Sequence, residues 1–151
     1  MRRHIITIIT AGLLATGCSG GSDSDAKPSP SASAQALSKE WVPKLKDATT
    51  AEPAICNQVG NKACAEYLTE IAIVVGDLRF ALDDAGGMDA YPRSVAEVGK
   101  VDKAVDAYTD HECLGDENAD IAGSPCPDDA HTIISGGEAL QLTLETDELK
   151  Q

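Results

Sequence analysis

The sequence predicts an all-α fold: a small antiparallel four-helix bundle that carries two disulfides and follows a disordered tether. Three observations support this prediction. Apolar residues recur every three or four positions in four stretches of the chain, which is the spacing of one buried helix face. Alternating strand patterns with turn dipeptides are absent from the sequence. Four cysteines lie at the predicted connections between helices, where they can form disulfides.

The first two helices are predicted from their apolar stripes. Helix one spans about 38–51, and its buried face is formed by Trp41, Leu45 and Ala48. Pro43 is expected in the first turn, where its missing N–H costs little. Helix two spans about 63–85, and its stripe is the clearest in the chain: Cys64, Leu68, Ile71, Val75, Leu78 and Leu82. Gly86 and the glycine after it are expected to end this helix.

The last two helices each begin at a proline. Helix three starts at Pro92, and its stripe consists of Val98, Val101, Val105 and Tyr108. Helix four starts near Pro127 with two aspartates in its first turn, and its stripe consists of Ala130, Ile133, Gly137, Leu140 and Leu144. Each glycine at 136 and 137 costs about 1 kcal/mol relative to alanine in a helix. The pair therefore marks either a close helix crossing or a break in helix four.

The first 17 residues have the form of an export signal. Residues 1–4 are cationic, and the apolar run at 5–16 is too short to span a hydrocarbon core. The stretch Leu14-Ala15-Thr16-Gly17-Cys18 resembles the lipobox of bacterial lipoprotein precursors. This resemblance implies cleavage before Cys18, diacylation of its thiol, and a lipid anchor on the outer face of the bacterial cytoplasmic membrane. An ordinary signal peptide that leaves Cys18 as a free thiol is the alternative.

The number of cysteines agrees with lipidation. Five cysteines are an odd number in an exported chain, and acylation of Cys18 leaves four that can pair. Residues 18–36 then form a lipidated cysteine and a tether rich in Ser, Pro and Gly, which cannot bury a core and is expected to be disordered. Residues 37–151 are expected to form one helical domain.

The charge of the chain excludes one class of partner. The sequence has 12 Lys+Arg against 25 Asp+Glu, for a formal net charge of −13. Such a surface repels nucleic acid and anionic lipid headgroups, so contact with the bilayer is expected only through the acylated Cys18. The acidic excess is most simply a well-solvated surface, and attraction of cations or of a basic partner is the less favoured alternative.

The four remaining cysteines are expected to form two local disulfides, Cys56–Cys64 and Cys113–Cys126, because each pair brackets one connection between helices. The crossed pairings stay open, since connectivity does not follow from sequence alone. A zinc site is disfavoured because the chain has no Cys-x-x-Cys spacing. In an antiparallel bundle both bridged connections share the end opposite the tether, which is a suitable place for a binding surface.

A candidate calcium site lies between the second pair of cysteines. Asp116, Asn118 and Asp120 have the one-three-five spacing of oxygen ligands in calcium loops. The EF-hand pattern also requires glycine and glutamate where this chain has Ile121 and Pro127. A polar loop rich in turn residues is therefore expected, with a weak calcium site as the alternative.

Helix two also offers a candidate partner patch. Ile73 and Phe80 lie seven residues apart, opposite the main stripe, and acidic residues adjoin them: Glu66, Asp77 and Asp84. A helix that is apolar on two sides is usually covered by neighbours on both. An exposed patch that binds a partner is the alternative.

No catalytic residue and no cofactor other than the covalent lipid are predicted. The sequence lacks Gly-x-Ser-x-Gly, His-Glu-x-x-His and phosphate-binding glycine loops, and His111 and His131 lie beside acidic residues without a recognisable nucleophile. The predicted function is a non-enzymatic interaction or binding module, presented outside the membrane to an envelope protein or a cell-wall component. Two alternatives stay open: a lipoprotein that binds calcium or a small ligand, and an envelope enzyme without recognisable motifs.

Overall fold

The computed structural model describes residues 36–50 and 54–151. These residues form five helices and their connecting loops, without a strand among them. The helices are α1 (Leu37–Thr49), α2 (Lys62–Asp84), α3 (Gly87–Ala90), α4 (Pro92–Asp110) and α5 (Cys126–Glu148). The predicted all-helical class and the two disulfides are confirmed. The predicted signal peptide (1–17), Cys18 and the tether through residue 35 lie outside the described residues.

The four predicted helices correspond to α1, α2, α4 and α5, and two details differ from expectation. The short helix α3 was not predicted, and it follows Gly86, whose φ of 111° only glycine adopts readily. Pro43 is the seventh residue of α1 rather than a first-turn residue. Its ring denies a hydrogen bond to the carbonyl of Lys39, and both residues are exposed, so water can solvate that carbonyl.

The predicted stripes supply the core. Every stripe residue named for α1, α2 and α5 is buried, as are three of the four in α4, and Val105 is half-buried. Helix α5 packs most extensively on α4 and then on α1, while α2 packs on α1, α4 and α5. None of these helices is long and apolar enough to cross a membrane.

Two glycines allow the neighbouring helices to approach α5 closely. A Cβ atom added to Gly136 would overlap Cγ2 of Val101 on α4. A Cβ added to Gly137 would lie 2.9 Å from Cγ2 of both Ile71 and Thr49, on α2 and α1. Helix α5 continues through both positions, so the glycines mark a close crossing and not a break.

The C-terminal turn of α5 holds the first turns of two other helices. Oδ2 of buried Asp147 accepts hydrogen bonds from the backbone N–H of Arg93 (3.1 Å) and of Ser94 (2.9 Å), and from the Ser94 hydroxyl (2.9 Å). The next carboxylate, Glu148, accepts from the N–H of Ser38 at 2.8 Å and from its hydroxyl. Neither α4 nor α1 has a capping side chain of its own. Carboxylates from α5 therefore satisfy N–H groups that a helix start leaves unpaired.

Candidate functional site

Two loops meet at one end of the molecule, and a disulfide links each loop to the helix that follows it. We call residues 54–61 and 111–125 the stapled loops. Cys56 is bonded to Cys64 and Cys113 to Cys126, with Cα–Cα distances of 4.7 and 5.6 Å. This is the local pairing predicted from the sequence. Both distances lie within the usual range for disulfides.

The stapled loops are joined to each other by hydrogen bonds. The N–H of Gly115 donates to the carbonyl of Gly60 at 2.8 Å, and the N–H of Val59 donates to Oδ1 of Asp120 at 2.8 Å. The hydroxyl of Tyr108, on the last turns of α4, donates to the carbonyl of Val59. A Cβ on Gly60 would lie 2.7 Å from the carbonyl oxygen of residue 116, so only glycine allows this approach without a shift. The two loops therefore form one unit.

The candidate calcium ligands lie in this unit, and two of their carboxylate oxygens accept backbone hydrogen bonds. Asp116 and Asp120 line a cleft of about 340 Å³ between the stapled loops, and Asn118 is not among its lining residues. Oδ1 of Asp116 accepts the N–H of Asn118 at 2.9 Å, which closes a local turn. Oδ1 of Asp120 accepts the N–H of Val59. The geometry favours the polar-loop interpretation, and calcium binding stays a prediction.

One cluster of metal-ligating residue types occurs in the described part of the chain. Ligand atoms of His111, Cys113 and Asp129 lie within 4.8 Å of one another. The sulfur of Cys113 belongs to a disulfide and is not the thiolate that binds metals. What remains is a hydrogen bond of 2.7 Å between Nδ1 of His111 and Oδ2 of Asp129. This pair links the residue after α4 to the first turn of α5, and it offers neither a metal site nor a nucleophile.

An apolar groove of about 450 Å³ opens between α2 and α4, next to the stapled loops. Its volume lies in the range typical of ligand-binding pockets. The lining is mainly apolar, with two threonines, a tyrosine and one glutamate among its members. The lining residues are Ala65, Leu68, Thr69, Ala72, Ile73, Val105, Tyr108, Thr109, Glu112, Cys113, Leu114 and Ile133. The groove can bury apolar groups, and it contains no pair of groups arranged for acid–base chemistry.

Two large apolar side chains stand exposed at the rim of this groove: Ile73 on α2 is 60% exposed and Leu114, after α4, is 58% exposed. Phe80 is 62% exposed but does not line the groove. Arg79 lies against the Phe80 ring and forms an ion pair of 3.0 Å with Asp102 of α4. The expectation that neighbours cover both sides of α2 is therefore wrong, because Ile73 and Phe80 are both more than half exposed.

Leu114 is a site residue that the sequence patterns above did not indicate. It is a single large apolar residue between Cys113 and Gly115, at the start of a polar loop. The sequence does contain one signal for it: a large apolar residue directly follows a cysteine in a polar loop, and a disulfide at that cysteine fixes the backbone. Partner binding by Ile73 and Phe80 stays a prediction.

The end of the molecule that carries the groove is strongly acidic. Between residues 104 and 149 the sequence has twelve Asp and Glu and no Lys or Arg. Eight of the twelve lie within residues 106–129, a segment we call the acidic tip. Lys62, the first residue of α2 and the neighbour of the other stapled loop, forms an ion pair with Glu66. A negative potential therefore surrounds the opening of the groove.

Two buried tyrosines have raised pKa values. Burial raises the pKa of Tyr108, and the negative charge of Asp120 adds to the effect. Burial likewise raises the pKa of Tyr67, with smaller contributions from Glu138 and Glu70. Each hydroxyl donates a hydrogen bond to a backbone carbonyl, which a phenolate could not do.

These tyrosines predict a loss of stability in alkali. A tyrosine in the unfolded chain ionises near pH ~10, whereas the folded pKa values of Tyr67 and Tyr108 are higher. Their contribution to stability is therefore full below pH ~10 and is lost as the pH rises through the folded pKa. We expect the free energy of unfolding, measured with urea between pH 8 and 11.5, to fall more steeply for the native chain than for the Tyr67→Phe, Tyr108→Phe double variant. Equal slopes would contradict this assignment.

Comparison of the chain with protein-family models, curated proteins and solved structures finds no match.

Proposed function

We propose that the protein is a lipoprotein anchored through Cys18 to the outer face of a bacterial cytoplasmic membrane. In this proposal its helical domain is an antiparallel four-helix bundle that serves as an interaction module. The arrangement is supported by the contacts between helix ends. The last turn of α5 holds the starts of α1 and α4, and the Cys113–Cys126 disulfide joins the end of α4 to the start of α5.

The same arrangement directs the groove away from the lipid. A tether that ends at residue 36 enters at the start of α1, and the first stapled loop follows the end of α1. Over its 13 residues α1 rises about 20 Å. The stapled loops and the groove beside them therefore lie at the end of the domain opposite the start of α1. In this proposal a partner outside the membrane reaches the domain at that end.

The observation that carries the proposal is the exposure of two large apolar side chains, Ile73 and Leu114, that both line an apolar groove. Burying apolar surface stabilises a complex by about 25 cal/mol for each Å² removed from water. Scattered apolar side chains are ordinary on a protein surface, whereas exposed ones that border an apolar groove add to the apolar surface that a partner can bury. A partner can therefore bury apolar side chains inside the groove and against the exposed Ile73 and Leu114 at its rim.

The contact surface can be tested by site-specific crosslinking. A photoreactive amino acid is placed at Ile73, at Leu114 or at Leu142, in the bacterium that makes the protein. Leu142 is 68% exposed on α5 and does not line the groove, so it is the matched control. We expect a discrete crosslinked adduct from Ile73 and Leu114 and none from Leu142. The absence of adducts at both rim positions, or the same adducts from all three, would contradict the proposed contact surface.

The anchor can be tested separately. We expect Cys18→Ser to move the protein from the membrane fraction to the medium and to remove the mass of the acyl chains, because serine cannot carry the thioether-linked lipid. Fractionation and intact mass spectrometry measure both effects. An unchanged distribution and mass would show that Cys18 is not lipidated, and the crosslinking result would still stand on its own.

A further inference from the structure

We propose that the groove binds a cationic amphipathic helical segment of a partner protein. The apolar side chains of this segment enter the groove, and its Lys or Arg residues face the acidic tip. The inference rests on the proposed function, since it names the chemistry of the partner that the module binds.

The length of the groove fits a short helix. Its α2 wall runs from Ala65 to Ile73, and this distance is about 12 Å at 1.5 Å per residue. Apolar side chains at positions i, i+4 and i+7 of a helix span about the same length. Partner helices that lie in apolar grooves use this spacing for their anchoring residues.

The negative charges beside the groove favour a positively charged partner. Asp106 and Asp110 are exposed and each directly follows a residue of the α4 wall, while Glu112 lines the groove itself. Within the described residues none of these three carboxylates has an ion-pair partner. Basic residues on the polar face of a bound helix would meet unpaired negative charge along this rim. Such complementarity speeds association and sets specificity.

The same charges disfavour other occupants. A second copy of this chain would bring two acidic tips together, at a formal net charge of −13 for each chain. An anionic lipid headgroup would be repelled in the same way. A neutral apolar small molecule could fill the groove, but it would make no use of Asp106, Asp110 or Glu112.

The inference can be tested with three synthetic peptides of 15 residues and the purified full chain carrying Cys18→Ser. The first peptide has leucine at the anchoring positions and lysine on the opposite face. The second has glutamate in place of lysine, and the third has serine in place of leucine. We expect fluorescence anisotropy to show binding of the first peptide, at least tenfold weaker binding of the second and third, and weaker binding of the first as salt rises from 0.05 to 0.5 M.

Variants of the protein locate the binding. We expect Leu114→Gln to weaken binding of the leucine–lysine peptide at least fivefold, whereas the control Leu142→Gln leaves it unchanged. The triple variant Asp106→Asn, Asp110→Asn, Glu112→Gln should weaken it more than a triple variant that removes the same charge elsewhere: Asp47→Asn, Asp89→Asn, Glu145→Gln. The residues of both triple sets are exposed, and a circular dichroism melt verifies that every variant is folded.

Three results would overturn the inference. The lysine and glutamate peptides could bind equally, the two triple variants could lose equal affinity, or the native chain could self-associate through a contact that Leu114→Gln abolishes. Crosslinks from Ile73 and Leu114 would in each case still support the groove as the contact surface, so the two proposals can fail separately. Crosslinks to a segment without basic residues would also contradict the cationic partner.

Discussion

Replacing Asp147 with alanine is expected to lower the free energy of unfolding by about 3 kcal/mol or more, the largest effect of any single substitution proposed for this protein. Oδ2 of Asp147 accepts three hydrogen bonds at the start of α4. Each buried donor that loses its acceptor costs about 1–3 kcal/mol. The negative charge also interacts favourably with the helix N-terminus, and this contribution is lost as well. Urea denaturation of the purified chain measures the difference.

Two further variants separate the capping role from a general effect of mutating this helix. Glu145→Ala removes an exposed carboxylate two residues earlier in α5, and we expect a change within about 0.5 kcal/mol. Asp147→Asn keeps an accepting oxygen but removes the charge and places an amide where Oδ1 is buried without a partner among the described residues. The free energy of unfolding of Asp147→Asn should lie between those of Asp147→Ala and Glu145→Ala. If Asp147→Ala were no more harmful than Glu145→Ala, the long-range cap would be wrong.

The second large effect is expected at Gly136. A Gly136→Ala substitution should lower the free energy of unfolding by about 1–3 kcal/mol, although alanine is the better helix former. The added Cβ would overlap Cγ2 of Val101, which is fully buried on α4. A valine in a helix has one strongly preferred rotamer, so it cannot easily turn aside. Either the valine adopts a strained conformation or α4 and α5 move apart.

The chain contains matched controls for this substitution. Gly76 in α2 and Gly99 in α4 are also helical, and a Cβ at either position would meet nothing within 4 Å. We expect Gly76→Ala and Gly99→Ala each to raise the free energy of unfolding by about 0.5–1 kcal/mol. The sign of the change thus separates a glycine needed for packing from one that only loosens a helix. A stabilising Gly136→Ala would show that the crossing can open without cost.

The helices and their buried faces could be predicted because both depend on local spacing. The stripe from Cys64 to Leu82 fixes one face of α2 whatever surrounds it, and a proline or glycine marks most helix ends. The same boundaries favoured the local disulfide pairing, which the structure confirms, but they did not exclude the crossed ones. Pro43 shows the limit of such reasoning: α1 begins within one residue of the predicted start, yet it accommodates a proline at its seventh residue, because the carbonyl left without a donor belongs to exposed Lys39.

The site could be predicted only in part, because it depends on which helix faces meet. Ile73 and Phe80 were recognisable as a second apolar face, but their spacing is the same whether or not a neighbour covers them. The role of Asp147 joins residues 53 positions apart along the chain, and no local pattern indicates it. The acidic tip, in contrast, could be read from the sequence. Residues 106–129 contain eight Asp and Glu and no Lys or Arg, and this excess of negative charge does not depend on the fold.

The Cys113–Cys126 bridge determines what happens when a protease cuts the loop between its two cysteines. Exposed polar loops such as 111–125 are preferred sites of cleavage. Hydrolysis of a peptide bond between these two cysteines would leave α4 and α5 covalently joined through sulfur. The hydrogen bonds at Gly60 and Val59 would still hold the cut ends against the other loop. A nicked molecule would therefore migrate as one chain without reductant and as two with it, and it would keep its groove despite a broken backbone.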